Sequence, residues 1–331
     1  MVGSTEWAEE NRDWIRENAV AYLNVDIGVR GHSIKFKATP NLSTLIYDIT
    51  KRVQSPYTNR SVYDVWKERE PPRTGVVGLA NGKKGKRRSP YIGPLGPGSD
   101  HAAFLHHLGV SALDMRFDGS PGLYHSNYDS FNWITTQVDP DFLYHRAITQ
   151  ILGAAAIRLA DDPILPLDAQ AYAREIGGYV SDLDSKVAQA SSASGHKAVS
   201  QRVLRHMADA ANELEISARR IEKEKHRLRK KYGEECSMDG RYRYSMCSGL
   251  RSSINSRLYK LERDFIDPVG IHGREWYKHV LVGPGRWRCC GAQTLPALTE
   301  AVEDGNWTLF KRLEKSTADI LQRAAWSLRE R

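Results

Sequence analysis

Short apolar runs alternate with helix-like segments in the first half of this chain, and the alternation restricts its fold more than any other feature. The run "AVAYLNVDIG" at 19–28 closes with Asp26 and Gly28, which is typical of a buried strand that delivers a carboxylate at its end. The run "VSALDMRF" at 110–117 predicts a second strand. Helices are predicted at 4–18, 39–56, 100–109 and 139–162. Strands that alternate with helices favour an α/β domain with a mostly parallel sheet.

The second half of the chain changes character, because no further strand is predicted after residue 163. Three stripes of apolar residues recur there at steps of three and four, which is the spacing of amphipathic helices. The stripes run through 204–221, 250–265 and 310–328, and a Pro- and Gly-rich excursion interrupts them at 267–296. We therefore expect an all-α helical bundle after the α/β part.

Positive charge leaves nucleic acid open as a partner without favouring it. The net charge of +8 is compatible with any anionic surface. The excess is concentrated in "NGKKGKRRSP" at 81–90 and "RRIEKEKHRLRKK" at 219–231. No aromatic-interleaved motif or known reader module accompanies these runs, so we do not expect a nucleic-acid partner.

The compartment is left open by the sequence. The longest apolar run, "ILGAAAI" at 151–157, is far shorter than the ~20 residues that a membrane span needs, and the amino-terminal stretch is too polar for a signal peptide. Four cysteines permit a disulfide between Cys236 and Cys247 but do not establish one. Glycosylation sequons would fit a secretory protein and lie at Asn41, Asn59 and Asn306.

One histidine is a candidate for a functional residue. His125 lies in "GLYHSNYDSF" at 122–131, between a tyrosine and small polar residues. It is either a hydrogen-bonded surface residue or a metal ligand, since imidazole is the commonest metal ligand. A catalytic zinc would need about three protein ligands. Asp26 is one candidate, because parallel sheets collect catalytic groups at the carboxyl ends of their strands.

Five sequence blocks occur in an order that is specific to one group of proteins. They are "GSTEWAEEN" at 3–11, "AYLNVD" at 21–26, "GPGSDHAAFLHHLGV" at 96–110, "LYHSNYDSF" at 123–131 and "FIDPVG" at 265–270. In these blocks the chain resembles the carboxyl-terminal half of the glutamate carboxypeptidase II and transferrin receptor group of zinc exopeptidase-like proteins. The resemblance extends over nearly the whole chain and is strongest in its first half.

This resemblance implies a fold and an assembly. Residues 1–165 are expected to form the carboxyl-terminal portion of a zinc peptidase-like catalytic domain, an incomplete three-layer α/β domain with a parallel sheet. Residues 166–331 are expected to form a helical domain similar to the transferrin receptor dimerisation domain, which would make the chain a homodimer. Members of the group are mostly membrane-anchored with a luminal or extracellular domain, whereas this sequence shows neither an anchor nor a signal.

The resemblance also implies a site with two zinc ions. The "AYLNVD" block places Asp26 as a ligand of one ion, and the "LYHS" block places His125 as a ligand of the other. Paired zinc ions would lower the pKa of a bridging water. Substrate-binding positions carried over from the family are Tyr124, Gly98, Ser99, Arg116 and Arg288.

Two departures from the family concern the pocket for glutamate. Asp114 and Cys289 occupy positions where glutamate-cleaving members carry an arginine and a tyrosine. A pocket selective for a carboxyl-terminal glutamate is therefore not expected.

Other ligands of the family lie outside these blocks. A His and a bridging Asp are found well upstream of the "GSTEW" block in the family, and a Glu pair that includes the general base comes just before it. The printed sequence starts after them, so we expect no catalytic residue and no stable zinc binding in this chain alone. The chain alone should be inactive, since general base catalysis is commonly worth about 10²–10⁴-fold in rate.

Two functions remain in competition. The first is a truncated glutamate carboxypeptidase-type zinc metallopeptidase, which would hydrolyse carboxyl-terminal residues from peptides. The second is a non-catalytic, dimeric receptor or sorting homologue, because the transferrin receptor uses this architecture for binding. Asp26, Tyr124 and His125 favour the first function, since a protein without peptidase chemistry has no need for them.

Overall fold

A mixed sheet flanked by helices forms the amino-terminal part of the molecule. The computed structural model describes residues 1–70, 77–78, 84–85, 89–119, 123–193, 204–234 and 241–330. The elements of this part are α1 (Val2–Glu10), α2 (Arg12–Asn18), β1 (Ala21–Asn24), β2 (Ser33–Ala38), α3 (Ser43–Thr50), α4 (Val62–Arg69), β3 (Val77–Gly78), β4 (Lys84–Gly85), β5 (Ser111–Asp118), α5 (Phe131–Trp133) and α6 (Leu143–Asp161). A 3₁₀ turn at Pro40–Leu42 precedes α3, and π-helical turns cover Ala103–His107 and Ile134–Val138.

The helix predicted over 4–18 is two helices. Asn11 separates α1 from α2, and both its side-chain amide and its backbone N–H donate to the carbonyl oxygen of Trp7, at 2.9 and 3.0 Å. Asparagine ends helices in this way because its short amide competes for nearby backbone groups.

The central sheet has the strand order β1-β5-β2 and is mixed. β1 is parallel to β5, with Asn24 opposite Asp114, whereas β2 is antiparallel to β5, with Lys37 opposite Asp114. The expectation of a mostly parallel sheet is therefore wrong for these three strands. The reason is the short connection 25–32, because a parallel crossover needs a dozen or more residues. β3 and β4 form a separate antiparallel ribbon.

The carboxyl-terminal part is mainly helical. It consists of α7 (Ala169–Ala193), α8 (Arg205–Glu234), α9 (Arg241–Lys260), a 3₁₀ turn (Leu261–Phe265), β6 (Val282–Gly285), β7 (Arg288–Thr294), α10 (Pro296–Glu303) and α11 (Trp307–Glu330). The prediction of an all-α bundle is wrong at the β6–β7 hairpin, which lies in the excursion 267–296. Its Gly-Pro-Gly strand has no alternating pattern that would reveal a strand.

One hydrophobic core joins the two parts. It begins on the inner face of the sheet, at Phe36, Met115 and Phe117, and continues between α7, α8 and α11. A buried polar network crosses the same junction, because the Ser111 hydroxyl of β5 donates to Oε2 of Glu262 at 3.4 Å. Glu262 accepts from the Tyr172 hydroxyl at 2.6 Å and lies 2.8 Å from Nε2 of His279.

Two remaining expectations concern regions of limited description. Cys236 and most of the basic block 83–88 lie outside the described residues, so the question of a disulfide between Cys236 and Cys247 stays open. Among the helices that are described, none combines the length and apolar character needed to cross a membrane.

Candidate functional site

A charged face on the central sheet lies opposite the hydrophobic core. Side chains alternate along β5, so that Leu113, Met115 and Phe117 enter the core while the residues between them face the other way. The register then places polar side chains from all three strands on one face. This charged face is formed by Asn24, Lys35, Lys37, Asp114, Arg116 and Asp118.

The buried end of this face fixes the loop that contains Gly98 and Ser99. The side-chain amide of Asn24 donates to Oδ1 of Asp114 at 2.8 Å and to Oγ of Ser99 at 3.0 Å. All three side chains are buried, whereas Gly98 is exposed. A buried amide bonded on both sides holds the loop in one position.

His101 ties down the start of the same loop. Its Nε2 lies 2.7 Å from the carbonyl oxygen of Gly96, and because a carbonyl only accepts, Nε2 carries the proton. Burial lowers the pKa of His101 below its usual value, so the ring is neutral at neutral pH. Nδ1 of the ring is buried and has no hydrogen-bond partner among the residues that the structure describes.

Asp26 and His125 are both exposed and belong to segments that leave the sheet at the same edge. β1 and β5 are parallel neighbours, and Asp26 follows the end of β1 by two residues. His125 lies in the loop after β5. The backbone N–H of Ser126 donates to the carbonyl oxygen of Leu123 at 3.0 Å, so His125 is the third residue of a tight turn.

The backbone at His125 is left-handed, with a φ of 62°. That region is sparsely populated by residues other than glycine, although histidine is among the exceptions. The His125 ring is stacked on Tyr124, with ring centres 3.9 Å apart. The turn thus presents an imidazole and a phenol side by side at the surface.

Arg116 is bonded within the charged face. Its Nε donates to Oδ2 of Asp118 at 3.3 Å, and no bond of its Nη atoms is found among the described residues. Arg30 grips the same carboxylate through two bonds of 2.7 and 3.2 Å and lies over the ring of Tyr124 at 5.4 Å. Partial burial alone would raise the pKa of Asp118, but the two arginines outweigh it and the pKa is lowered.

Arg30 is the residue of this region that the sequence did not reveal. It connects the segment of Asp26 to the loop of His125, because Asp118 precedes that loop and Tyr124 belongs to it. Gly31 and Gly119 allow these segments to approach: a Cβ on Gly31 would come within 2.3 Å of the Gly119 Cα. Glycine is the residue type that such a close backbone approach requires. The two glycines lie far apart in the sequence, however, so the sequence did not reveal that they meet.

A catalytic zinc requires more protein donors than Asp26 and His125 supply. The described ranges hold no group of three or more His, Cys, Asp or Glu side chains arranged to bind a metal ion. Asp26 and His125 are two donors, and a catalytic zinc takes about three protein ligands. These residues by themselves therefore do not fit a zinc centre.

The structure describes only the backbone of Arg288. It is the first residue of β7, and its side chain, like that of Cys289, lies outside the described part. Its predicted contact with substrate stays a prediction.

Two models of known protein families match parts of the chain. The model described as "Peptidase family M28" matches residues 1–142, and the model described as "Transferrin receptor-like dimerisation domain" matches residues 203–329. The two matches fall on the mixed sheet and on the helical part.

Three curated relatives cover most of the chain. The probable glutamate carboxypeptidase VP8 of Zea mays is 36% identical over 288 residues, which is 86% of this chain and 35% of that protein. The probable glutamate carboxypeptidase LAMP1 of Arabidopsis thaliana is 30% identical over 328 residues, 98% of this chain and 41% of that protein. The vacuolar protein sorting-associated protein 70 of Saccharomyces cerevisiae is 24% identical over 311 residues, 92% of this chain and 36% of that protein. The chain thus spans between a third and a half of the length of these relatives.

Proposed function

The chain belongs to the glutamate carboxypeptidase and transferrin receptor group, and on that premise we propose that it supplies the carboxyl-terminal part of a zinc-dependent peptidase. The reaction would be hydrolysis of carboxyl-terminal residues from peptides. Residues 1–165 would form an incomplete three-layer catalytic domain, and residues 166–331 a dimerisation domain. The proposal is supported by one observation above all: a peptidase match and a dimerisation match follow one another in a single chain.

Within this proposal the exposed edge of the sheet is the active-site side. Asp26 and His125 each contribute one zinc ligand, and Tyr124 lines the substrate pocket beside His125. Asp26, Tyr124 and His125 are all exposed. Their exposure supports these roles, because a side chain that binds a metal ion or a substrate must be accessible at the surface of the site. The loop at Gly98 and Ser99 contacts substrate, and its conformation is set by Asn24 and His101.

Arg116 is proposed to bind both Asp118 and the substrate. Its Nε is occupied by Asp118, but a guanidinium has five N–H donors, and those on the Nη atoms remain for an acidic group of the substrate. Arg288 would supply a second cation to the same pocket.

A polypeptide of these 331 residues alone is proposed to be inactive. Two donors do not make a zinc centre, so such a polypeptide should retain little zinc and hydrolyse no peptide. Activity would depend on a His, a bridging Asp and a Glu pair of the kind that the family uses.

A chimaera tests the assignment of the site. Residues 1–331 replace the matching segment of the Zea mays relative, and release of carboxyl-terminal residues from a peptide panel is measured. We expect activity in the chimaera and a loss of at least about a hundredfold with Asp26→Ala or His125→Ala, because each change removes a metal ligand.

Matched controls for the chimaera are Asp13→Ala and His226→Ala, which change exposed residues of the same types on α2 and α8. The unmodified relative is the positive control. Full activity after loss of Asp26 or His125 would refute the proposed ligands, and an inactive chimaera beside an active relative would refute the peptidase function.

A second function is favoured by the name of one relative. The yeast protein is called a vacuolar protein sorting-associated protein, and it covers 92% of this chain. A sorting or receptor function without catalysis would leave the charged face to bind a protein instead of a peptide substrate. The chimaera separates the alternatives, because a non-catalytic chain would support no hydrolysis.

Homodimer formation is part of the same proposal. The helical part carries the dimerisation-domain match, and the hydrophobic core of this part is closed by α7, α8 and α11 without help from a second chain. A dimer would therefore join two folded subunits through their surfaces.

A further inference from the structure

Arg30 binds a carboxylate at the point where two segments leave the sheet. Its backbone N–H donates to the carbonyl oxygen of Phe117 at 2.9 Å, beside the pairing of Val29 with Phe117. Its Nε and one Nη atom donate to the two oxygens of Asp118, at 2.7 and 3.2 Å. A guanidinium that meets both oxygens of one carboxylate is fixed in its direction as well as in its position.

The Arg30–Asp118 pair is partly shielded from water and stays charged. The two side chains are 25% and 20% exposed, so salt screens this pair less than it would screen a pair at the open surface. The hydrogen bonds with Asp118 raise the pKa of Arg30 above its usual value, although partial burial opposes them. Asp118 also accepts from the backbone N–H of Gly119 at 2.9 Å. The guanidinium therefore has one well-defined place.

The guanidinium of Arg30 also contacts the ring of Tyr124. Its central carbon lies 5.4 Å from the ring centre, which is within the range of a cation–π interaction. The Tyr124 ring is itself stacked on the ring of His125, with centres 3.9 Å apart. Among the residues that the structure describes, the Tyr124 side chain has no hydrogen bond and no other ring contact. Arg30 is thus the contact that ties this ring to the sheet.

The backbones of the two segments are joined without the Arg30 side chain. The backbone N–H of Phe117 donates to the carbonyl oxygen of Gly28 at 2.9 Å, and Gly31 and Gly119 approach closely. An ion pair is therefore not needed to bring the segments together. The Arg30 side chain adds what the backbone does not supply, which is a fixed cation beside an exposed tyrosine. Exposed side chains without such a contact change rotamers within nanoseconds.

We propose that Arg30 is a positioning residue, which holds the Tyr124 ring and the turn of His125 in the orientation that receives the substrate. The inference rests on the proposed function, in which Tyr124 lines the substrate pocket, and adds the residue that fixes its ring. Arg30 stays bound to Asp118, so it acts through Tyr124 and does not touch the substrate. The role should therefore affect both the binding of substrate and the conformation of the turn in its absence.

The conformation of the turn is measured on the 331-residue chain without any catalysis. Histidine labelled with carbon-13 is incorporated, and the Cε1–H resonance of His125 is assigned from its disappearance in His125→Asn. The stacked ring shifts this resonance, and Tyr124→Leu gives its position without the ring. Arg30→Met keeps an apolar side chain and removes the charge, so the resonance should move toward the position found in Tyr124→Leu.

Arg158→Met is the matched control for Arg30→Met. Arg158 donates to Asp162 at 2.6 Å, and these two side chains are 30% and 27% exposed, but the pair lies at the carboxyl end of α6. This variant should leave the His125 resonance in place. Arg30→Lys keeps a cation without the bond to both carboxylate oxygens, so its resonance should lie between those of the wild type and Arg30→Met. Thermal melts by circular dichroism verify that each variant is folded.

Substrate binding is measured in the chimaera with the Zea mays relative. Arg30→Met should raise KM at least about fivefold, which is the effect of losing one cation–π contact, and should change kcat less. Arg30→Lys should bring KM part of the way back, and Arg158→Met should leave both constants unchanged. A variant that only loses stability would reduce the amount of active enzyme and so the apparent kcat, without raising KM.

The outcomes separate this inference from the proposed function. An active chimaera in which Arg30→Met leaves KM unchanged, or an unmoved His125 resonance in that variant, would overturn the role of Arg30 alone. An inactive chimaera beside an active relative would overturn the peptidase function and, with it, the substrate role of Arg30. If Arg30→Met does not fold, Arg30→Lys decides the question, because a wild-type resonance and a wild-type KM in that variant would contradict the inference.

Discussion

His106 should make the stability of this protein depend on pH in a predictable direction. The ring is fully buried, with Nδ1 3.1 Å from the carbonyl oxygen of Val282, and Nε2 has no hydrogen-bond partner in the described part of the chain. Burial, with smaller effects from the charges of His279 and His101, lowers the pKa of His106 from 6.5 to about 3. Protonation of the ring inside the fold is therefore costly.

The sign of the effect follows from the two pKa values. Between the folded value of about 3 and the unfolded value of 6.5, the unfolded chain binds a proton at this histidine and the folded chain does not. Stability therefore falls as the pH falls through this window. Going from about pH 7.5 to about pH 5, the contribution of His106 amounts to a loss of about 2 kcal/mol.

Urea unfolding at the two pH values measures this contribution. His106→Asn preserves a side-chain N–H donor for the Val282 carbonyl and cannot titrate, so it should lose about 2 kcal/mol less than the wild type on acidification. His226→Asn, at an exposed histidine of α8, is the control and should behave like the wild type. Equal losses in the wild type and His106→Asn would refute the reasoning.

Two further predictions concern the junctions between segments. The Arg263 guanidinium donates to the backbone carbonyls of Ile15, Arg16 and Ala19, so Arg263→Met should cost about 3 kcal/mol of unfolding free energy, against almost nothing for the exposed Arg312→Met. An unchanged urea midpoint in Arg263→Met would contradict this role. A Cβ on Gly119 would lie 2.7 Å from the Gly31 Cα, so Gly119→Ala should destabilise by about 1–3 kcal/mol. Gly153→Ala, in open space on α6, should stabilise slightly, and similar effects at both glycines would count against the close approach.

Much of the fold could be predicted from hydrophobic periodicity. β1, β5 and the long helices follow from apolar runs and from helical spacing, because those patterns are local. β2 was not predicted, although "SIKFKA" alternates: Ile34, Phe36 and Ala38 are buried, and the lysines between them face away. The β6–β7 hairpin has no such signal, since three of the four residues of β6 are glycine or proline.

The site was predictable only in its residue types. Asp26 and His125 were singled out because carboxylate and imidazole are metal donors, and the resemblance gave them roles. The sharing of Asp118 by Arg30 and Arg116 could not be predicted, because Arg30 and Asp118 are brought together by the pairing of Val29 with Phe117 across the sheet. Contacts of this kind depend on the register of the strands.

Zinc content and peptide hydrolysis of the purified 331-residue polypeptide test the central claim most directly. The polypeptide is loaded with zinc, freed of excess by gel filtration, analysed for metal and incubated with a panel of short peptides. We predict well under one equivalent of zinc and no release of terminal residues, because Asp26 and His125 provide one donor each. Two retained equivalents together with metal-dependent trimming would contradict the account.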